Sequence, residues 1–127
     1  MLNFKHKFIQ WVPAILWGLF VSWLTLKAPS KSTLQIPEIL AKIQPDKWVH
    51  FILWGIWTRL FIEFTNPNKK SAFTAAVFFS VYGVFIELLQ GFMMLGRNCD
   101  FWDWLADTLG VCVALFLSRK LFSTNKN

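Results

Sequence analysis

The sequence predicts an all-α membrane protein with four transmembrane helices, short loops and both termini on the cytoplasmic side. Its 127 residues are 55% hydrophobic and 16% charged, with a mean hydropathy of +0.43, whereas soluble domains are roughly a quarter charged. A 14.8 kDa globule has too much surface for its volume to bury eight Trp and fourteen Phe. We therefore expect many of these side chains to face lipid.

Four apolar runs are long enough to cross a bilayer, which takes about 20 residues of helix. The first run carries no charge and is longer than the apolar core of a signal peptide, about 7 to 15 residues, so we interpret it as a retained helix. Pro13 places the start of this helix near Trp11, or a kink there. All four helices belong to one domain, 1–127, and are expected near 8–26, 48–64, 72–95 and 101–122.

The segments between these runs are short. Asn66-Pro67-Asn68 and 96–100 carry turn-forming residues. Only 27–47 has any size, and within it 37–43 fits either a short helix lying in the membrane interface or a simple linker.

The distribution of Lys and Arg predicts the orientation. With four spans, both termini share a side with the middle loop; that side holds seven Lys and Arg, and the other side holds five. Positive flanks tend to stay in the cytoplasm, so we expect a multi-pass protein of the cell membrane with cytoplasmic termini. The net charge of +6 suits anionic lipid headgroups, and no nucleic-acid partner is expected.

Polar residues of the last three spans are expected at one membrane face. Adjacent spans are antiparallel, so the start of the second, the end of the third and the start of the fourth lie on the same side. Ionisable groups in hydrocarbon are costly unless they meet a partner or a cavity. We therefore predict a shared polar pocket at the outer face. Its residues are Asp46, Lys47, His50, Glu87, Gln90, Arg97, Asp100, Asp103 and Asp107.

The residue types suggest two kinds of role in this pocket. His50 and Glu87 are the candidate catalytic acid and base. The other seven are candidate binding residues, with Lys47 and Arg97 suited to an anionic headgroup such as phosphate. Carboxylates beside a histidine also suit a divalent cation. Because no standard metal motif, phosphate loop or nucleophile signature is present, no metal site or cofactor is assigned from the sequence.

At these positions the sequence resembles the VanZ-like family of small membrane proteins. The resemblance covers about half the chain, and this sequence departs from the family at Asp107, where Asn is usual. The namesake is associated with resistance to the glycopeptide teicoplanin, so the resemblance implies an envelope context more than a reaction. The matching elements are Asp46-Lys47-x-x-His50-Phe51, Glu87-x-x-Gln90, Arg97 and Asp100-x-x-Asp103-x-x-x-Asp107-x-x-Gly110.

Three functional interpretations follow. The pocket binds a lipid or antibiotic-related headgroup, with a link to teicoplanin resistance. Alternatively, the protein is a membrane-embedded hydrolase or transferase acting on an envelope lipid or lipid-linked intermediate. In the third interpretation the polar residues only lock the helices together through ion pairs. Membrane lipids are the expected partners; the sequence specifies neither the cofactor nor the oligomeric state.

Overall fold

The computed structural model describes residues 2–27, 44–65, 68–93 and 98–124, and the regular secondary structure within these ranges is all α-helix. This confirms the predicted all-α class. The segment 37–43 and Arg97 lie outside the described residues. The described helices are α1 (Leu2–Leu26), α2 (Pro45–Thr65), α3 (Lys69–Met93) and α4 (Phe101–Thr124).

Local capping explains where the last three helices begin. Pro45 occupies the first position of α2, where its missing N–H costs least. The side chain of Asn68 accepts a hydrogen bond from the backbone N–H of Ser71 at 2.9 Å. In the same way, Asp100 Oδ1 accepts from the N–H of Trp102 at 2.8 Å. Each cap satisfies a donor that the first helical turn leaves free.

The first helix does not start near Trp11, one of the two placements that Pro13 suggested. It begins at Leu2 and continues through Pro13. Proline removes one backbone hydrogen bond from a helix interior. Most of the stability of a helix comes from packing its buried face, and here Ala14 and Val21 lie in the core.

Among the described residues, three helices contain segments long and apolar enough to cross a membrane: Ile9–Leu26 in α1, all of α3, and Phe101–Ser118 in α4. Large apolar side chains point outward on all three, among them Leu19, Phe78 and Phe116, which are 64%, 60% and 71% exposed. In water such a surface would be unfavourable. The exposed apolar surface therefore indicates a membrane protein, as the composition predicts.

The central helix is α2, which packs most extensively against α4 and also contacts α1 and α3. Its Trp54 is fully buried, and the indole N–H donates to the carbonyl of Phe79 on α3 at 3.1 Å. Trp17 on α1 donates likewise to the carbonyl of Leu53 at 3.1 Å. These bonds satisfy the polar edge of each indole, so Trp54 is buried in the core and the partly buried Trp17 packs against it without an unsatisfied N–H.

Two glycines allow α2 and α4 to cross closely. A Cβ on Gly110 would collide with the carbonyl oxygen of Phe51, and a Cβ on Gly55 would lie 3.4 Å from the carbonyl oxygen of Gly110. Asp107 lies one turn before Gly110, and His50 lies before Gly55 on the facing helix. The close crossing therefore brings the polar residues of the two helices within hydrogen-bonding reach.

Candidate functional site

Lys47 joins the start of α2 to the start of α4. Its Nζ donates to Asp103 Oδ1 at 2.6 Å and to Asp100 Oδ2 at 2.7 Å, while Asp46 Oδ2 is more distant at 3.8 Å. The Lys47 side chain is only 19% exposed. Charge-assisted bonds of this length are among the stronger ones in proteins, so the ammonium is already neutralised by neighbouring carboxylates.

Asp100 connects three helices through different atoms. One carboxylate oxygen caps α4, the other accepts from Lys47 on α2, and its backbone N–H donates to Glu87 Oε2 on α3 at 3.0 Å. The hydrogen bond from Lys47, followed by that from the N–H of Trp102, lowers the pKa of Asp100 below its ordinary value. Asp100 is therefore held as a carboxylate at neutral pH.

His50 and Asp107 form a buried pair below this junction. His50 Nδ1 lies 2.9 Å from Asp107 Oδ1, and His50 Nε2 lies 3.8 Å from Asp103 Oδ2. The imidazole also stacks on the indole of Trp54, with ring centroids 5.9 Å apart and planes 21° apart. A carboxylate on one ring nitrogen fixes the orientation of the imidazole and determines which nitrogen is left for other partners.

Two buried carboxylate oxygens at this site lack a hydrogen-bond partner within the described part of the chain: Glu87 Oε1 and Asp107 Oδ2. Glu87 is 2% exposed and Asp107 is fully buried. Buried polar atoms normally have a partner because leaving one unsatisfied costs free energy. Their second oxygens do have partners, so both side chains are fixed while one oxygen of each remains available.

A cavity of about 650 Å³ is bordered by His50, Asp100 and Asp103 of this network. Gln90 extends the site to α1 by donating from Nε2 to the carbonyl of Thr25 at 2.8 Å. This contribution of α1 was not predicted and leaves no signal in the sequence, because the acceptor is a backbone carbonyl. The cavity lining comprises Leu24, Thr25, Asp46, Val49, His50, Leu53, Gln90, Asn98, Asp100 and Asp103.

The structure brings most, but not all, of the predicted site residues into contact. The structure joins six of them in one network of contacts, namely Lys47, His50, Glu87, Asp100, Asp103 and Asp107. Gln90 lines the cavity but bonds to α1, and Asp46 lies at the exposed rim with 63% of its side chain accessible. Arg97 lies outside the described residues, and the functional roles assigned from sequence stay predictions.

Comparison with known proteins adds one match. A family model described as VanZ/LLP1 matches residues 2–123, nearly the whole chain. Neither a curated protein nor a solved structure matches this sequence.

Proposed function

The chain belongs to the VanZ/LLP1 family, and on this basis we propose that it is a multi-pass protein of the cell membrane whose pocket binds the amine-bearing headgroup of an envelope lipid. The observation that carries the proposal is the character of the cavity. Acidic side chains line one part, including Asp46, Asp100 and Asp103, and apolar side chains such as Leu24 and Leu53 line another. An amphiphile with a cationic head and an apolar tail matches both.

The charge of the lining favours an amine over a simple anion. Lys47 was predicted to hold phosphate, but its ammonium already contacts two carboxylates. An anion would have to compete with both and would also approach the carboxylate of Asp46. The ammonium of a lipid headgroup would instead be stabilised by these carboxylates, because it donates several hydrogen bonds to carboxylate oxygens. The teicoplanin resistance of the family's namesake supports an envelope role. The amine of an antibiotic would also be attracted to the carboxylates that line the cavity.

In this proposal α2 also crosses the membrane, as the apolar run at 48–64 predicts, although it is less apolar than the three spans described above. Its central position supports this, because charges in a span are tolerated when they face protein. Arg59 donates from Nη1 to Ser118 Oγ on α4 at 3.2 Å and lies 3.5 Å from Glu63. With four spans, the charge distribution directs both termini to the cytoplasm and the pocket to the outer face.

Reporter fusions test this topology. A reporter that is active only in the cytoplasm should work when fused at Lys69 or at the C-terminus and fail when fused after Leu26. A reporter active only outside should give the reverse pattern at all three positions. An outside location for the Lys69 loop would reverse the proposed orientation, and a shared side for Leu26 and Lys69 would show that α2 does not span.

The headgroup proposal predicts selective lipid binding. Purified protein in detergent should retain phosphatidylethanolamine more strongly than phosphatidylglycerol or phosphatidylcholine with the same acyl chains, as measured by native mass spectrometry. Asp46→Asn removes one carboxylate from the exposed rim and should weaken ethanolamine binding about two- to fivefold, the range for an exposed ion pair. Glu63→Gln is the matched control, because Glu63 is an exposed carboxylate on the same helix that does not line the cavity.

Two outcomes of this experiment contradict the proposal. Tighter binding of phosphatidylglycerol would favour the anionic headgroup predicted from Lys47 and Arg97. Equal retention of all three lipids would leave no headgroup selectivity.

The second candidate function is a membrane-embedded hydrolase or transferase acting on an envelope lipid. The buried His50–Asp107 pair beside Glu87 favours it, because a carboxylate that orients a histidine is a common arrangement for general acid and base catalysis. In the lipid experiment, a cleaved or transferred headgroup formed by the wild type and not by Glu87→Gln would favour the enzyme over simple binding.

A further inference from the structure

We propose that His50, Glu87 and Asp107 form a binding site for a first-row divalent cation such as Mn²⁺ or Zn²⁺ beneath the headgroup pocket. One ring nitrogen of His50 and one oxygen from each carboxylate lie within 4.8 Å of one another. The three residues come from α2, α3 and α4. Such a site would therefore connect three helices of the bundle at its interior.

The unsatisfied oxygens are the independent evidence for a ligand. Glu87 Oε1 and Asp107 Oδ2 are buried without a partner in the described ranges, while the other oxygen of each carboxylate accepts a hydrogen bond. This division resembles a prepared metal site, in which surrounding hydrogen bonds fix the ligand and one atom remains for the ion. The ring nitrogen of His50 that faces Asp107 is Nδ1, 2.9 Å from Oδ1, so a metal shared with Asp107 would bind at Nδ1 in place of its proton.

The local charge balance also favours a cation. Lys47 is engaged by Asp100 and Asp103, at 2.7 and 2.6 Å. Among the described residues this leaves Glu87 and Asp107 with only His50 as a possible positive partner at the buried end of the site. With the imidazole neutral, as a metal ligand requires, the two ionised carboxylates carry two negative charges, which a divalent ion would neutralise. Burying such charges without compensation is strongly unfavourable.

The donor set determines the class of metal. One imidazole nitrogen with two carboxylate oxygens suits first-row transition metals and zinc, whereas Mg²⁺ and Ca²⁺ prefer oxygen ligands alone. Metal–ligand bonds of about 2.0 to 2.2 Å separate opposite ligands by about 4 Å. The candidate ligand atoms lie within 4.8 Å of one another, so small side-chain movements would close the site around the ion. Water or a bound headgroup would complete the coordination.

Metal binding can be measured without any lipid, so its outcome is separate from that of the headgroup proposal. Detergent-purified protein is treated with a chelator, desalted and titrated with MnCl₂ while free Mn²⁺ is followed by electron paramagnetic resonance. We expect one Mn²⁺ per chain, displaced by Zn²⁺ but not by an equal concentration of Mg²⁺. Bound Mn²⁺ should also raise the melting temperature, because a ligand specific for the folded state stabilises it.

Conservative variants identify the ligands. Glu87→Gln and Asp107→Asn keep the size of each side chain and should each lower Mn²⁺ affinity at least tenfold, since even residues that only support a ligand contribute about 10- to 100-fold. Glu63→Gln should bind like the wild type. Folding is checked by the melting temperature without metal, which should not fall in either site variant because a buried charge is removed.

Three results would overturn the metal site. The first is a wild-type protein that binds no stoichiometric Mn²⁺ or Zn²⁺. The second is a wild type whose melting temperature does not respond to either ion. The third is undiminished binding in both site variants.

Discussion

Gly110→Ala is expected to lower the free energy of unfolding by about 1–3 kcal/mol, the usual cost of adding volume to a well-packed contact. The added Cβ would collide with the carbonyl oxygen of Phe51. Backbone atoms cannot rotate away as a flexible side chain can, so α2 and α4 would have to separate. Thermal unfolding in detergent measures the loss.

Gly55→Ala provides the matched control at the same crossing. Its Cβ would meet the carbonyl oxygen of Gly110 at 3.4 Å, an ordinary van der Waals distance, and alanine favours helix over glycine by about 1 kcal/mol. We therefore expect Gly55→Ala to be neutral or mildly stabilising. Equal destabilisation by both substitutions would show that the crossing is not limited by the Gly110 contact.

The contacts at the crossing of α2 and α4 show which part of the site could be predicted from the sequence and which could not. Antiparallel order alone is enough to bring the start of α2, the end of α3 and the start of α4 to one face. Helical spacing then identifies which polar residues share a stripe. Sequence spacing carries no information about helix rotation, however, so it could not specify that His50 would bond to Asp107 while Lys47 takes Asp100 and Asp103.

Two further features could not be predicted from the sequence, because they also depend on how the helices pack. The contribution of α1 depends on the carbonyl of Thr25, a backbone atom that every residue possesses. Likewise, the composition of α2 does not show that this helix contacts all three of the others. Long-range packing therefore determines both features, and the local pattern records neither.

Lys47→Met should produce the other large loss of stability, about 1–3 kcal/mol, the range for a hydrogen bond to a charged group and for leaving its partner unsatisfied. The substitution keeps most of the apolar stem but removes the ammonium between Asp100 and Asp103. Most of the loss should come from Asp103, whose side chain is 13% exposed, because Asp100 is 39% exposed and water screens its charge.

Lys69→Met is the matched control, since it makes the same substitution at an exposed lysine on α3 that forms no ion pair within the described residues. It should leave the melting temperature unchanged. A similar loss in both variants would indicate a general effect of removing positive charge, not the junction between α2 and α4.

The loss in Lys47→Met should also depend on pH in a defined direction. The Lys47 hydrogen bond lowers the pKa of Asp100 in the folded protein below its ordinary value of 3.8. A lowered carboxyl pKa contributes stability above the unfolded value, and this contribution is lost as the pH falls through the folded value. Protonated Asp100 carries no charge, so the loss of the Lys47 ammonium no longer leaves it unpaired. The difference in melting temperature between the wild type and Lys47→Met should therefore narrow below about pH 4. Melting curves of both proteins from pH 7 to pH 3 measure this gap, and a gap that stays constant or widens in acid would contradict the role of the Lys47–Asp100 bond.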